Sequence, residues 1–245
     1  MAHQHDTITP YGQADKAKKA QVAEMFDNIS HRYDFLNHFL SLGIDITWRR
    51  KAIRMLKPLK PQVVVDIATG TGDFALEASR LKPQRIIGLD ISEGMLAVGR
   101  QKIARRGLSA TIEMVQADSE ALPYPDNFCQ AITVGFGVRN FEHLEKGLAE
   151  MYRILSPGGA CIILEPAVPR RFPVRQFVLF YYKTLLPLFG RLFSKDHRAY
   201  SYLPETIQAF PAGEQFLDIC RRQGFRNCRF KPLTLGICAL YYLEK

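Results

Sequence analysis

The chain has 245 residues, of which 47% are hydrophobic and 23% charged, a globular composition long enough to bury a full α/β core without disulfides or a structural metal. The formal charge of +9 points to an anionic partner and leaves nucleic acid, membrane lipid and an acidic small molecule all open. The opening MAHQHDTITPYGQAD has no apolar stretch, and five cysteines (129, 161, 220, 228 and 238) form no C-x-x-C pair, so a cytoplasmic protein with reduced, packed thiols and no membrane span is expected.

No internal repeat or low-complexity block interrupts the chain. Val22, Phe26, Ile29 and Tyr33 recur at helical spacing, which predicts an amphipathic helical region over 15–40. Trp48, Ile53 and Leu56 continue it in a second short helix that Pro58 stops, with Trp48 read as packing. Short apolar runs follow at 62–67, 85–90, 111–117, 129–134 and 160–165, with helical stretches at 73–81, 93–106 and 141–155. Such alternation predicts a parallel sheet with crossover helices on both faces. PRRFPVRQFVLFYYKTLLPLFGRLFSKDHR then breaks the pattern, being apolar, aromatic and basic together. A helix at 213–223 and strands at 226–231 and 234–243, separated by a Pro-Leu-Thr turn, should end the chain in an antiparallel hairpin. The expected organisation is one domain over 1–245: a helical cap (1–58), a cofactor-binding core (59–168), a basic aromatic helical insertion (169–212), and a helix with hairpin (213–245).

VVVDIATGTGDFA (63–75) carries Gly70, Gly72 and Ala75 at the G-x-G-x-x-G/A spacing, at which a strand turns tightly into a helix and its backbone approaches a nucleotide. Asp90 follows about 20 residues on, where a carboxylate holds ribose hydroxyls. A dinucleotide oxidoreductase is therefore one reading. Asp66 and Asp73 flank the loop, however, and two negative charges oppose a pyrophosphate at the helix N-terminus. They suit a ligand with positive charge, and S-adenosylmethionine (SAM) has an ammonium, a sulfonium and a ribose. Asp118 and Ser119, in QADSEAL, offer a polar pair for an adenine amino group. Any one of these aspartates could simply cap a helix or loop. All of them in register with strand C-terminal ends, where open α/β sheets bind ligands, favours a site.

With its surroundings, VVVDIATGTGD resembles the class I SAM-dependent methyltransferases, and more narrowly the quinone-biosynthesis C-methyltransferases that act on demethylmenaquinone or a ubiquinone precursor. The narrower resemblance rests on YDFLNHFLSLGIDITWRR (33–50), VQADSEALPYPDNFCQAITVGFGVRNF (115–141), MYRILSPGGACIILE (151–165) and SYLPETI (201–207). Departures occur at Leu36-Asn37 and Asp45, where Met-Asn and a His are usual, at Ser156, where Lys is usual, and at Pro166-Ala167, where the family closes Glu-x-Ser. Gly135 replaces a small hydroxyl residue, which weakens any cofactor contact there. The resemblance implies a Rossmann-like SAM methyltransferase fold, with a mostly parallel seven-stranded sheet and a C-terminal antiparallel hairpin. It implies SAM as cofactor, S-adenosylhomocysteine as product, and a prenylated quinol as substrate: a reduced demethylmenaquinone in the last step of menaquinone biosynthesis, or the ubiquinone counterpart. Cofactor contacts are implied at Thr71, Asp90, Ile91, Asp118, Ser119 and Gly135, beside the general pattern of Asp66, Gly70 and Gly72.

Ring C-methylation needs in-line positioning, a base for the neighbouring hydroxyl, and a group to steady a phenolate-like oxygen. The resemblance assigns that oxygen to Arg139 and Asn140, with a surface ion pair to Glu142 as the competing reading of Arg139. Tyr33 and Asn37 on the cap would close over the substrate, Tyr33 or a water relaying the proton, and Tyr202 is a further substrate contact. His31, His38, His143 and His197 show no ligand spacing, and no metal is expected. Segment 169–198 sets seven basic residues against one acid, Asp196, among phenylalanines and tyrosines. It is expected either to lie on the inner face of the cytoplasmic membrane, admitting the prenyl tail, or to pack on the core or a second subunit of a homodimer. No nucleic-acid module is recognisable. A methyltransferase acting on another lipid or phenol, and a catalytically silent protein of the same fold, stay open.

Overall fold

Seven strands form one sheet in the order β3-β2-β1-β4-β5-β7-β6. The computed structural model describes residues 3–169, 171–181, 184 and 198–245, leaving aside the side chains of 35–40 and 199–201. β1 (Val63–Ile67), β2 (Arg85–Asp90), β3 (Ile112–Gln116), β4 (Cys129–Gly135) and β5 (Leu155–Pro166) run parallel to their neighbours. β7 (Cys238–Glu244) joins antiparallel to β5, and β6 (Arg226–Leu233) antiparallel to β7. This is the expected mixed sheet.

Burial explains the strand sequences. β1 is wholly buried beyond its first residue, so both faces demand apolar side chains and alternation disappears. Its odd and even residues feed two cores. Val65 and Ile67 pack with α5 (Leu144–Ile154) and α8 (Glu214–Arg222), while Val64 packs with α2 (Ile44–Leu56), α3 (Asp73–Ala78) and α4 (Glu93–Arg105). The edge strand β6 reads RNCRFKPL and is mostly exposed. It continues through Pro232, where a turn is predicted, because a proline without an N–H is tolerated on an edge. The hairpin turn therefore falls at Thr234–Gly236, and β7 starts later than expected. Four of the five cysteines are buried and all are free thiols; burial pushes Cys129 up to about 12.

Among the described side chains of α1 (Lys18–Leu40), none joins either main core. Val22 and Met25 form a third cluster with Val178 of α6 (Val174–Phe180) and with Tyr202 and Ile207 of α7 (Arg198–Ala209). The rest of the basic insertion, 170, 182–183 and 185–197, lies outside the described residues. Among the described residues no helix is long and apolar enough to cross a membrane.

Short helical turns that the sequence does not signal lie beside the third cluster. Val138–Asn140 follows β4, and Gln4–Thr7 packs on it and on α7. His5 in that N-terminal turn is fully buried, edge-on to Phe210 at 5.5 Å, and the Lys18 ammonium donates to its carbonyl at 2.6 Å. Burial lowers the His5 imidazole to about 4, Asp6 opposing and Lys18 and His3 adding to the shift.

The loops after β1 and β4 meet closely. Ala68 (φ 52°) and Phe136 (φ 61°) both take left-handed backbone, and a Cβ on Gly137 would lie 2.4 Å from that of Ala68. Neither methyl carbon can swing aside, so Gly137→Ala should separate the two loops and lower stability by about 1–3 kcal/mol, measured by denaturant unfolding. The unfolded chain protonates His5 below about pH 6.5 and the folded chain only near pH 4, so its contribution is lost as pH falls through that window. Between pH 7 and 4, wild type should lose roughly 2–3 kcal/mol more than His5→Leu in paired melts.

Candidate functional site

The chain leaves β1 through a loop built on turn geometry. The Thr69 amide donates to the Leu89 carbonyl at 2.9 Å and the Gly72 amide to the Thr69 carbonyl at 2.9 Å. Gly70 (φ 57°) and Gly72 (φ 83°) take the backbone values that this turn needs. At the end of β2, Asp90 clamps the loop from the side: its carboxylate accepts from the Gly70 amide at 2.7 Å and from the Ser92 amide at 2.9 Å. Burial raises the Asp90 carboxyl, and those two amides oppose the rise. An ionised carboxylate has about four acceptor positions. Its remaining lone pairs border an elongated cavity that runs across the strand ends.

Tyr33, Gly70, Asp90, Ile91, Asp118, Ser119, Gly135 and Asn140 line that cavity together. Thr71 and Asp66 border a smaller recess on the far side of Gly70, shared by Tyr33 and Gly135. Gly72, Arg139 and Tyr202 line neither space, and the Asn37 side chain lies outside the described residues.

Each of the two flanking aspartates is engaged by neighbouring side chains. Asp66 is fully buried and accepts from the hydroxyls of Thr69 at 2.5 Å and Thr133 at 2.6 Å, which makes it a strut between β1 and β4. Burial pushes it up to about 6, with the two threonines and Arg49 pulling the other way. Asp73 pairs with Lys102 at 2.7 Å and stands 3.7 Å from Arg49, itself buried and paired with Asp45. Both carboxylates also border the smaller recess beside Gly70.

Residues missed from sequence come from α1. Lys19, Val22 and Phe26 line the cavity on the same helix face as Tyr33. Their helical spacing was legible, and that face, which also meets α6 and α7, roofs the cavity instead of packing on either main core. Three polar contacts fasten the roof. Lys19 donates to Asp118 at 2.8 Å beyond β3. Asp27 accepts from the Ser92 hydroxyl at 2.6 Å and the Gly94 amide at 2.8 Å beyond β2. Asp34 meets the Thr71 hydroxyl beyond β1 and, at 2.5 Å, Lys102 of α4. Burial would raise Asp118, but Lys19 and the Glu120 amide outweigh it and hold the carboxyl below its usual value.

Behind the wall at Phe136, Gly137 and Asn140 lies a buried polar group of four. Arg139 is 8% exposed and donates to Glu165 at 3.1 Å and to the Phe136 carbonyl. The sequence alternative of a surface pair with Glu142 is thus replaced by a buried pair with Glu165, at the end of β5. Burial raises the Glu165 carboxyl and Arg139 offsets the rise. Arg139 Nε, Asn140 Oδ1 and the Tyr202 hydroxyl are buried without hydrogen-bond partners among the described residues. Trp48 packs edge-on to Phe136, as expected, and donates to Thr234 at 2.8 Å. Glu120, Glu142 and His143 offer ligand atoms within 4.8 Å of one another, but backbone amides already occupy Glu120 and Glu142.

The cavity lies at the C-terminal ends of β1, β2 and β3, with a carboxylate after β2 and a polar pair after β3, at the edge of the sheet where open α/β folds bind ligands. Solved structures agree on the fold. A SAM-dependent methyltransferase from Thermotoga maritima superposes with a TM-score of 0.61 at 20% identity, covering 91% of this chain and 99% of that one. A putative SAM-dependent methyltransferase from Methanococcus maripaludis also gives 0.61 at 20% identity, covering 96% and 97%. By sequence, the chain is 52% identical over 246 residues, the full length of both, to a protein named demethylmenaquinone methyltransferase from Bacteroides fragilis. It is 41% identical to the ubiquinone/menaquinone biosynthesis C-methyltransferase UbiE of Geobacter sulfurreducens, over 97% of this chain and 93% of that one. The profile of the ubiE/COQ5 methyltransferase family matches residues 14–245, and the chain belongs to that family.

Proposed function

We propose that this protein methylates the ring carbon of a reduced demethylmenaquinone, giving menaquinol, with SAM as methyl donor. Full-length identity of 52% to a relative named for that reaction carries the reading. The ubiquinone counterpart is the second reading, favoured by the joint name of the Geobacter relative.

The residues present fit SAM. Asp90 keeps lone pairs for ribose hydroxyls, and the loop at Gly70 lets the backbone come close, with only Tyr33 Cε1 within 4.0 Å of a Cβ there. Asp118 and Ser119 stand where an adenine edge would be read. When bound, SAM supplies an electrophilic methyl on a sulfonium. Tyr33 and the α1 face exclude water above it.

A quinol hydroxyl must lose its proton before the adjacent ring carbon becomes nucleophilic. Arg139 Nε, Asn140 Oδ1 and the Tyr202 hydroxyl offer donors and acceptors in a buried place, and leaving such groups unpaired costs about 1–3 kcal/mol each. A substrate oxygen that met them would recover that cost. In this reading Glu165 fixes the Arg139 guanidinium, and an oxygen that gains negative charge shares it with Glu165. Burial also keeps the Tyr202 hydroxyl protonated far above neutral pH, so it serves as a hydrogen-bond donor.

Transfer of a labelled methyl from SAM to a short-tail demethylated naphthoquinol, run beside the matching benzoquinol, tests the assignment. Faster turnover of the naphthoquinol is expected; preference for the benzoquinol would move the protein to the ubiquinone reading, and no transfer to either would remove both. For Arg139, substitution by Ala strands a buried Glu165, at about 3–5 kcal/mol. The informative variant is Arg139→Lys, which keeps the charge but loses the planar fork. Turnover should fall roughly 100-fold with SAM affinity within a factor of about three, in line with loss of one preorganised donor. Wild-type turnover in this variant would remove Arg139 from the chemistry.

A further inference from the structure

The sequence builds one turn twice. SLGI (41–44) and TLGI (234–237) each place a leucine in left-handed backbone, Leu42 at φ 51° and Leu235 at φ 57°, followed by a glycine at φ 73° or 93°. Leucine seldom adopts that conformation. In both turns its side chain stands in solvent, 83% exposed for Leu42 and 77% for Leu235, while Ile44 and Ile237 pack inward. A strained backbone position that displays a large apolar group gains nothing from folding alone.

The two turns belong to one side of the molecule. Trp48 of α2 donates to Thr234 at 2.8 Å, tying the helix that follows the first turn to the second turn. On the other flank of the second turn, a Cβ on Gly236 would lie 3.5 Å from Pro169, and the Ala167 amide donates to the Ile237 carbonyl at 2.8 Å. The basic insertion begins there. Val174, Val178 and Tyr181 turn one face of α6 into the third cluster. Phe172, just ahead of the helix, is 80% exposed, and Phe177 and Phe180, which flank that face, are 70% and 56% exposed. An apolar stripe wider than the cluster beneath it calls for something to cover its exposed margin.

Charge selects the cover. Residues 166–181 contain no acid, and Arg171 and Arg175 are exposed without a carboxylate partner among the described residues. Exposed Lys51 on α2 and Lys231 on β6 add to the same sign. Apolar groups projecting singly from turns, inside a rim of cations, fit the boundary between anionic headgroups and acyl chains.

We infer that Leu42, Leu235, Phe172 and Phe177 form a docking surface for an anionic lipid bilayer, with the two Leu-Gly turns as paired insertion points. The surface adds a bilayer contact that the methyl-transfer reading does not require.

Co-sedimentation of the full chain with phosphatidylcholine vesicles, with and without phosphatidylglycerol, tests it. Asparagine tolerates left-handed backbone, so Leu42→Asn/Leu235→Asn removes the apolar tips while leaving the fold and its melting temperature intact. Wild type should sediment with the anionic vesicles, and the double variant should bind them at least ~10-fold more weakly. Arg171→Glu/Arg175→Glu should abolish the preference for phosphatidylglycerol. Methyl transfer to a water-soluble short-tail quinol should be unchanged in Leu42→Asn/Leu235→Asn. Equal vesicle binding by wild type and that variant would overturn the inference, as would wild type that binds neither vesicle. A wild-type dimer that the leucine variant dissociates would likewise overturn it, assigning the face to a second copy. Vesicle binding needs no turnover, so failure of the proposed reaction leaves this result readable.

Discussion

Three contacts between α1 and the sheet organise the site. Lys19 reaches Asp118, Asp27 reaches Ser92 and Gly94, and Asp34 reaches Thr71 and Lys102. The three α1 residues lie about two helical turns apart, so they share one face of the helix. They meet the chain just beyond β3, β2 and β1 in turn, which is the spatial order of those strands. One straight helix thereby closes three loops at once. Lys19, Lys102 and their partners are only partly buried, and pairs of that kind contribute about 0.2–1 kcal/mol each and weaken with salt. A roof held by weak pins can open for ligand exchange without unfolding the sheet.

Beneath the roof the electrostatics are of a different kind. Asp66, the Asp45–Arg49 pair and the Arg139–Glu165 pair are almost wholly out of water. Desolvation of such groups is expensive, and their partners offset it only in good geometry. These groups do not strengthen the fold so much as fix it: a misplaced β4 would leave Asp66 without Thr133, and a misplaced β5 would leave Arg139 without Glu165. Rigid buried pairs below and loose exposed pairs above divide the labour between holding a shape and admitting a ligand.

That division also explains what the sequence made legible. Strand and helix periods make the sheet legible, and the spacing of Gly70, Asp90 and Asp118 makes legible the strand ends that border the cavity, because both depend on short-range order along the chain. Side-chain direction does not. Asp66 and Asp73 flank the glycines in sequence but turn to Thr133 and Lys102, which are 67 and 29 residues away. Arg139 was compared with its neighbour Glu142, whereas the parallel crossover carries Glu165 to it. The apolar face of α1 was read by its period, but no period tells a roof from a core. At the hairpin, Pro232 signalled a turn that an edge strand did not need.

The placement of β7 bears on the order in which the protein can assemble. β6 precedes β7 in the chain, yet β7 lies between it and β5. Until β7 is in place, β6 lacks the neighbour it pairs with in the sheet, and β5 is left as the open edge. The native order of pairing thus requires β7 to reach β5 before β6, or together with it as one hairpin. The charged edge residues of β6, Arg226, Arg229 and Lys231, keep that waiting strand from pairing with another chain.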